Sequence, residues 1–202
     1  VRQRRPAGNA DAVRLAEEFV SGESFVVGFG DTIVTSSGPR GVVARLIEDH
    51  EASGAAATIA VWEVPPEEAS KYGVIRPAVA DPVGAFPIDD IVEKPPLGEA
   101  PSHLAVAARY VFTPKIFEAI AATDPGVKGE LWLTDAIRRL LEWGDDVRCV
   151  RLLDGERRYD IGTPLTYYRA FADFALADPE HGTAFAEYLR TCLQEEGGGA
   201  AG

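Results

Sequence analysis

DIVEKPP, residues 90–96, joins a short apolar strand to a double proline. Proline cannot donate to a sheet ladder and restricts the residue before it to extended backbone, so we expect the strand to end here with Lys94 extended. Glu93 and Lys94 then lie at the mouth of the strand. A carboxylate accepts hydrogen bonds from hydroxyl groups and an ammonium is a point charge for a phosphate, so this mouth suits an anionic, hydroxyl-rich ligand. The alternative interpretation is a surface acid and lysine beside a proline-rich turn.

Segments on both sides of this stretch alternate between helical and extended patterns. Apolar spacing predicts helices over residues 10–19, 40–52, 114–122, 134–143, 164–177 and 179–194, and extended segments over 24–30, 55–64, 74–79, 85–92, 104–112 and 147–153. Asn9, Thr113, Thr134 and Thr163 are the expected helix caps. The alternation predicts an α/β fold with a doubly wound, mainly parallel sheet and a small extended insertion over residues 74–92.

Two aspartates follow predicted strands. Asp31 comes directly after the strand that ends near Gly30, and Asp160 comes after the strand that begins at Val147 and returns to Tyr159. Ligands bind outside the carboxyl ends of strands in open α/β sheets, so Asp31 is the first candidate metal ligand. A strand-end cap is the alternative for Asp31, and a turn residue is the alternative for Asp160.

The composition is that of a globular protein. The 202 residues are 46% hydrophobic and 26% charged, which favours one domain, residues 1–195, followed by a glycine-rich disordered tail, residues 196–202. The formal charge of -12 argues against nucleic-acid or membrane-surface binding, because the long-range field repels polyanions. An anionic substrate then needs a local basic pocket or a metal ion.

The cysteines and the hydropathy indicate a cytoplasmic protein. Cys149 and Cys192 have no CxxC spacing, so the sequence predicts neither a disulfide framework nor a zinc site. No apolar run reaches the roughly 20 residues of a membrane span, and the first residues lack the apolar core of a signal peptide.

A series of blocks gives the chain a family resemblance. In order, they are Tyr72-Gly73-Val74, Val92-Glu93-Lys94-Pro95, Ala100-Pro101-Ser102, Leu104-Ala105, Arg109-Tyr110, Gly129-Glu130-Leu131, Leu133-Thr134-Asp135-Ala136 and Arg158-Tyr159-Asp160-Ile161-Gly162. The series resembles bacterial UDP-glucose pyrophosphorylases (UTP-glucose-1-phosphate uridylyltransferases) over nearly the whole chain. The resemblance implies a Rossmann-like nucleotide-diphospho-sugar transferase fold and UTP and glucose 1-phosphate as substrates.

In the implied reaction, a phosphate oxygen of glucose 1-phosphate attacks the α-phosphorus of UTP, and pyrophosphate leaves. Such transfers depend on positioning and on charge neutralisation by Mg²⁺ and cationic side chains. By resemblance, Asp31 is a catalytic metal ligand and Asp160 completes the Mg²⁺ site. Lys94 meets the sugar phosphate as a catalytic residue, Glu93 takes sugar hydroxyls, and Gly73 faces the sugar.

The resemblance is weaker near the start of the chain. Gln3 and Gly8 match the pair that reads the pyrimidine base, with a frayed polar segment as the alternative interpretation. Asp11 stands where the family usually has an uncharged residue or a histidine. Alanine replaces a glycine at Ala108, and tryptophan replaces a glutamine at Trp132.

The family's glycine-rich triphosphate loop has no counterpart in this sequence, so we expect an incomplete form of the enzyme that lacks the first βα unit and whose own activity is uncertain. The first alternative is a non-catalytic sugar-phosphate-binding or subunit-interaction remnant. A glucose-1-phosphate thymidylyltransferase is the second, although the Ala-Pro-Ser and Leu-Thr-Asp-Ala blocks disfavour it. We also expect a homo-oligomer.

Overall fold

The structure is a computed structural model that describes residues 2–36, 38–126 and 129–198, with side chains to residue 195. It divides the chain into two compact units, where a single domain over residues 1–195 was expected. The first comprises Val1–Gly30 and Val34–Arg158, and the second comprises Asp31–Ile33 and Tyr159–Gly202. Most of the second unit is the C-terminal helical segment.

Helices and strands alternate as the α/β pattern predicted. The strands are β1 Phe25–Gly28, β2 Thr32–Val34, β3 Ala57–Glu63, β4 Gly73–Pro77, β5 Ala85–Glu93, β6 Leu104–Phe112, β7 Val147–Arg151 and β8 Arg158–Asp160. The helices are α1 Asn9–Arg14, α2 Glu17–Val20, α3 Val42–Ser53, α4 Lys115–Ala121, α5 Leu133–Glu142, α6 Pro164–Leu176 and α7 Gly182–Gly198, with a 3-10 helix at Pro66–Lys71. Within the described residues, no helix is long and apolar enough to cross a membrane.

The main sheet is less parallel than expected. Its order is β1-β6-β3-β7-β5-β4, and β3–β7 is parallel, whereas β1–β6, β3–β6, β5–β7 and β4–β5 are antiparallel. The connection from β4 to β5 contains no helix, so it cannot make the crossover that parallel neighbours require, and these two strands pair antiparallel. The expected insertion is a β4–β5 hairpin that belongs to this sheet, because β5 pairs with β7 and Val74 lies opposite Ala105 of β6.

Helix α5 packs against the sheet through one apolar face. Leu133, Ala136, Ile137 and Leu140 follow helical spacing, and all are 0% exposed. Full burial of a Leu or Ile side chain stabilises a fold by about 1.5–3 kcal/mol, so this face fixes the helix firmly. The start of α5 is thereby held close to the end of β5, where Glu93 and Lys94 lie.

The predicted helix caps have mixed outcomes. Thr163 caps α6 as predicted, and its hydroxyl and that of Thr166 form a capping box. Thr134 was expected to cap α5, but it lies inside the first turn, and the N-cap residue is Trp132. Asn9 was expected to cap the first helix, but its side chain instead accepts a hydrogen bond from the amide of Leu133 at 2.7 Å. The cap of α5 thus comes from a distant segment.

Two further helix predictions differ from the structure. Thr113 does not cap α4, because the N-cap residue is Pro114 and the Thr113 hydroxyl donates to the carbonyl of Ala56. Helix α7 continues to Gly198, so the first three residues of the predicted tail 196–202 are helical. Residues 199–202 lie outside the described part of the chain.

Strand β6 contains a bulge. Its register with β3 shifts between Ile59 and Val61, and Ala108 lies there with φ +54°. Left-handed backbone favours glycine, which is the residue that the resembled family has at this position. The replacement of that glycine by alanine therefore leaves a strained residue in the strand.

Candidate functional site

The mouth of β5 is formed by a strand pair and a backbone reversal. Gly73 lies opposite Glu93 in the β4–β5 ladder, and the amide of Lys94 donates to the carbonyl of Tyr72 at 3.0 Å. Lys94 has φ +43°, so the expectation of extended backbone before Pro95 is wrong. A non-glycine residue in this region costs on the order of 1–3 kcal/mol, and such residues concentrate at functional sites.

Glu93 is a largely buried carboxylate. Its side chain is 17% exposed, and its Oε2 atom accepts a hydrogen bond from the Thr134 hydroxyl at 2.7 Å. Burial raises the pKa of Glu93, while the hydrogen bond from Thr134 and the charge of Lys94 act in the opposite direction. The carboxylate is therefore a desolvated acceptor, fixed in orientation by a neighbouring hydroxyl.

Lys94 lies between two side chains. Its Nζ atom is 3.7 Å from Glu93 Oε1 and 4.0 Å from the centre of the Trp132 ring, and its side chain is 52% exposed. The three side chains line a cavity of about 220 Å³ together with Gly8, Asn9 and Glu130. The cavity presents a half-exposed cation to solvent, as an anion-binding site requires.

Gly73 allows the carboxylate and the hydroxyl to approach the strand. A Cβ atom at this position would lie 3.0 Å from Thr134 Oγ1 and 3.1 Å from Glu93 Oε2. Any larger residue would push on the Glu93–Thr134 hydrogen bond. The structure thus brings Gly73, Glu93 and Lys94 together, as the sequence predicted.

Gln3 and Gly8 are also brought together. The Gln3 side-chain amide donates to the Gly8 carbonyl at 3.2 Å and to Asp11 Oδ2 at 2.7 Å. Hydrogen bonds from Arg14 and then from Gln3 hold the pKa of Asp11 below its ordinary value. The amide of Gln3 is therefore oriented by the acidic residue that departs from the family pattern.

The segment Ala7–Ala10 is clamped to the loop before α5. Leu131 donates its amide to the Ala7 carbonyl at 2.8 Å and accepts from the Ala10 amide at 3.1 Å. Gly8 has φ +99°, and a Cβ atom there would lie 2.1 Å from the Leu131 carbonyl oxygen. Only glycine fits this approach, so Gly8 forms a rigid wall of the cavity.

The two candidate metal ligands lie in the second unit. A Cβ atom on Gly162 would lie 3.2 Å from Asp160 Oδ1 and 3.7 Å from Asp31 Oδ2, so both carboxylates approach this glycine. The Gly162 amide donates to Asp160 Oδ1 at 2.8 Å, as in a turn, and the Ile161 amide donates to the Asp31 carbonyl at 2.8 Å. Among the described residues, no group of three or more His, Cys, Asp or Glu side chains could hold a metal. A pair of carboxylates nevertheless suits Mg²⁺, which keeps several waters and takes further oxygen ligands from substrate phosphates.

Sequence reasoning assigned no site role to Asn9, Glu130 and Trp132, which line the cavity, or to Thr134, which holds Glu93. Thr134 was interpreted as a helix cap and Trp132 only as a departure from the family, whereas they contact Glu93 and Lys94 respectively. Their position on either side of Leu133 at the start of α5 was the available signal. A larger cavity of about 440 Å³ lies beside α3, where His50 contacts Ser24, and contains none of the expected site residues.

Known proteins resemble this chain along most of its length. A uridylyltransferase for UTP and glucose 1-phosphate from Bacillus subtilis is 36% identical over 97% of the chain and 65% of its own length. A protein of the same name from Streptococcus pyogenes is 38% identical over 89% of the chain and 60% of its own length. A UTP-bound UGPase structure from Acinetobacter baumannii superposes with a TM-score of 0.81 at 32% identity, covering 94% of this chain and 64% of that one.

These matches confirm the expected α/β, Rossmann-like fold class. The chain spans about 60 to 65% of the length of the curated relatives it matches. The family model for nucleotidyl transferases matches residues 1–176. The chain therefore belongs to the nucleotidyl transferase family.

Proposed function

We propose that the protein carrying this chain is a UTP-glucose-1-phosphate uridylyltransferase, which forms UDP-glucose and pyrophosphate. The observation that carries the proposal is the cavity at the end of β5, where a desolvated carboxylate and a half-exposed ammonium lie side by side. Relatives that bear this activity in their names match the chain at 36 to 38% identity.

The sugar phosphate would bind through Glu93 and Lys94. The Lys94 ammonium would contact the phosphate group of glucose 1-phosphate, and Glu93 would accept hydrogen bonds from sugar hydroxyls. Gly73 would leave room for the sugar beside the Glu93–Thr134 hydrogen bond. These contacts hold the attacking phosphate, and such positioning accounts for much of the acceleration in reactions of this kind.

The reaction itself needs no protein nucleophile. A non-bridging phosphate oxygen of glucose 1-phosphate forms a bond to the α-phosphorus of UTP, and the bond from that phosphorus to the β-phosphate oxygen breaks. The electron pair of the broken bond leaves with pyrophosphate. The work of the side chains is to align the reactants and to neutralise charge.

Asp31 and Asp160 would hold Mg²⁺. The bound ion would neutralise the negative charge that develops on the phosphates. Asp160 also accepts from the Gly162 amide, which orients its carboxylate. Gln3 and Gly8 would read the uracil base as one unit, because the Gln3 amide donates to the Gly8 carbonyl.

The Lys94→Ala variant tests the sugar-phosphate site. Two unit charges 4 Å apart interact by about 4 kcal/mol near a protein surface and by about 1 kcal/mol in bulk water. Since the Lys94 side chain is 52% exposed, we expect a loss of about 2 kcal/mol, or roughly thirtyfold in affinity for glucose 1-phosphate. Titration calorimetry measures this loss directly.

Lys71 provides the matched control. It is a half-exposed lysine with a glutamate partner, Glu68, at 3.1 Å, and it does not line the cavity. Lys71→Ala should leave the affinity unchanged. If the unmodified chain binds glucose 1-phosphate and Lys94→Ala binds it equally well, Lys94 is not part of the site.

Measurements of pyrophosphate release distinguish the proposed function from two alternatives. A non-catalytic sugar-phosphate-binding remnant would bind glucose 1-phosphate but release no pyrophosphate in the presence of UTP and Mg²⁺. A thymidylyltransferase would release pyrophosphate faster with dTTP than with UTP. A cytoplasmic location and a homo-oligomeric state stay predictions from the sequence.

A further inference from the structure

We propose that Trp132 is a positioning residue that holds the Lys94 ammonium in the cavity with the face of its indole ring. The inference rests on the proposed function, because it assigns a role within the same sugar-phosphate site. The ammonium nitrogen lies 4.0 Å from the ring centre, well inside the roughly 6 Å range of cation–π attraction.

A neutral ring is a suitable partner for a cation that must also bind phosphate. Glu93 Oε1 forms a long ion pair with the same ammonium at 3.7 Å, and a shorter pair would offset more of the positive charge that the phosphate needs. The Thr134 hydroxyl holds the other oxygen of this carboxylate at 2.7 Å. Trp132 attracts the lysine without cancelling its charge, so the ammonium stays localised and remains available to an anion.

The backbone on both sides of Trp132 is fixed. Leu131 exchanges hydrogen bonds with the segment Ala7–Ala10, and Leu133 is fully buried and donates its amide to Asn9. The ring is therefore carried by a clamped residue at the N-cap of α5. A flexible lysine loses rotamer freedom when it binds, and a ring that localises it beforehand lowers that loss on ligand binding.

A ligand-free measurement tests the geometry. In the unmodified chain, the ring current of Trp132 should displace the NMR signals of the Lys94 side-chain methylene next to the nitrogen towards high field. The Trp132→Leu variant should return these signals to the range of the other lysines. Unshifted Lys94 signals in the unmodified chain would overturn the inference whatever the substrate is.

Binding measurements test the function of the contact. We expect Trp132→Leu to lower the affinity for glucose 1-phosphate by about 3- to 30-fold and Trp132→Phe, which keeps an aromatic face, to retain most of it. In a Lys94→Ala background, Trp132→Leu should have no further effect, because the ring acts through the lysine. Trp143→Leu is the matched control, since Trp143 lies at the other end of α5 with the Lys115 ammonium 6.0 Å from its ring, and it should not change the affinity.

The outcomes separate the inference from the proposed function. If the unmodified chain does not bind glucose 1-phosphate, the proposed function fails, and the NMR signals alone decide on the contact. If the unmodified chain binds and Trp132→Leu binds equally well, the positioning role is wrong. The positioning role is also wrong if Trp132→Leu lowers the affinity for glucose 1-phosphate equally in the unmodified chain and in the Lys94→Ala background. The ring would then act on the ligand or on the fold and not through the lysine.

Discussion

Replacement of Gly8 by alanine tests whether the close approach of this residue to Leu131 shapes the cavity wall. The new Cβ atom would lie 2.1 Å from the Leu131 carbonyl oxygen and 2.6 Å from its nitrogen. Both are backbone atoms, so the collision cannot be relieved by a side-chain rotation. The segment must separate from Leu131 instead.

The Gly8→Ala substitution destabilises the fold in two ways. Gly8 has φ +99° and ψ 167°, a backbone conformation essentially confined to glycine, and an L-residue held there costs on the order of 1–3 kcal/mol. Separation also breaks the hydrogen bonds from Leu131 to Ala7 and from Ala10 to Leu131, each with a net value of about 1 kcal/mol. We therefore expect a total destabilisation of about 3–5 kcal/mol.

Comparison with Gly22, which carries the backbone cost alone, isolates the contribution of the contact with Leu131. It has φ +83°, and a Cβ atom there would meet nothing within 4 Å, so Gly22→Ala should cost only the backbone term of about 1–2 kcal/mol. Urea unfolding followed by tryptophan fluorescence suits the comparison, because all three tryptophans lie in the first unit. Equal destabilisation by the two variants would refute the role of the Leu131 contact.

Three further variants probe the carboxylates. In the whole protein that carries this chain, Asp31→Asn should lower Mg²⁺-dependent pyrophosphate release by about 100-fold or more, because it removes a charge that holds the ion. An unchanged rate with intact far-UV circular dichroism would exclude Asp31 as a ligand. Asp160→Asn should have a smaller effect, since an asparagine oxygen can still accept from the Gly162 amide. Glu93→Gln should stabilise the chain at pH 7 to 8. Burial raises the pKa of Glu93, so the free energy of unfolding of the wild type falls as pH rises through that raised pKa, whereas the neutral glutamine has no such pH dependence. The difference in denaturation midpoint between Glu93→Gln and wild type should vanish below about pH 4.5, and a difference that grew on acidification would contradict this assignment.

Local signals predicted the elements well, whereas pairing between distant segments could not be predicted from them. The Thr163 cap of α6 was correct because its partner, Thr166, lies in the same turn. The cap of α5 was predicted wrongly because the Leu133 amide donates its hydrogen bond to Asn9, which lies 124 positions away in the sequence. The mainly parallel sheet was wrong for the same reason, since helical and extended patterns do not specify which strands become neighbours.

At the candidate site, too, some features could be predicted from the sequence and others depend on contacts between distant segments. The resemblance placed Glu93, Lys94 and Gly73 in one site, and the structure brings them into contact. The backbone rule for residues before proline failed at Lys94, because the hydrogen bond from its amide to Tyr72 supports a reversal that the dipeptide alone disfavours. The role of Trp132 could not be derived from its sequence position, since it depends on the distance between two loops.

The hydrogen bond from the Leu133 amide to Asn9 also sets an order of events during synthesis on the ribosome. Its partners are 124 residues apart, and translation proceeds at about 5–20 residues per second, so Asn9 waits roughly 6 to 25 seconds for Leu133 to be made. Until then, the segment Ala7–Ala10 has no Leu131 to bind. Ala10 and the following Val13, both buried in the finished fold, face solvent or a chaperone during that time. The earliest wall of the cavity to be translated is therefore among the last to become ordered.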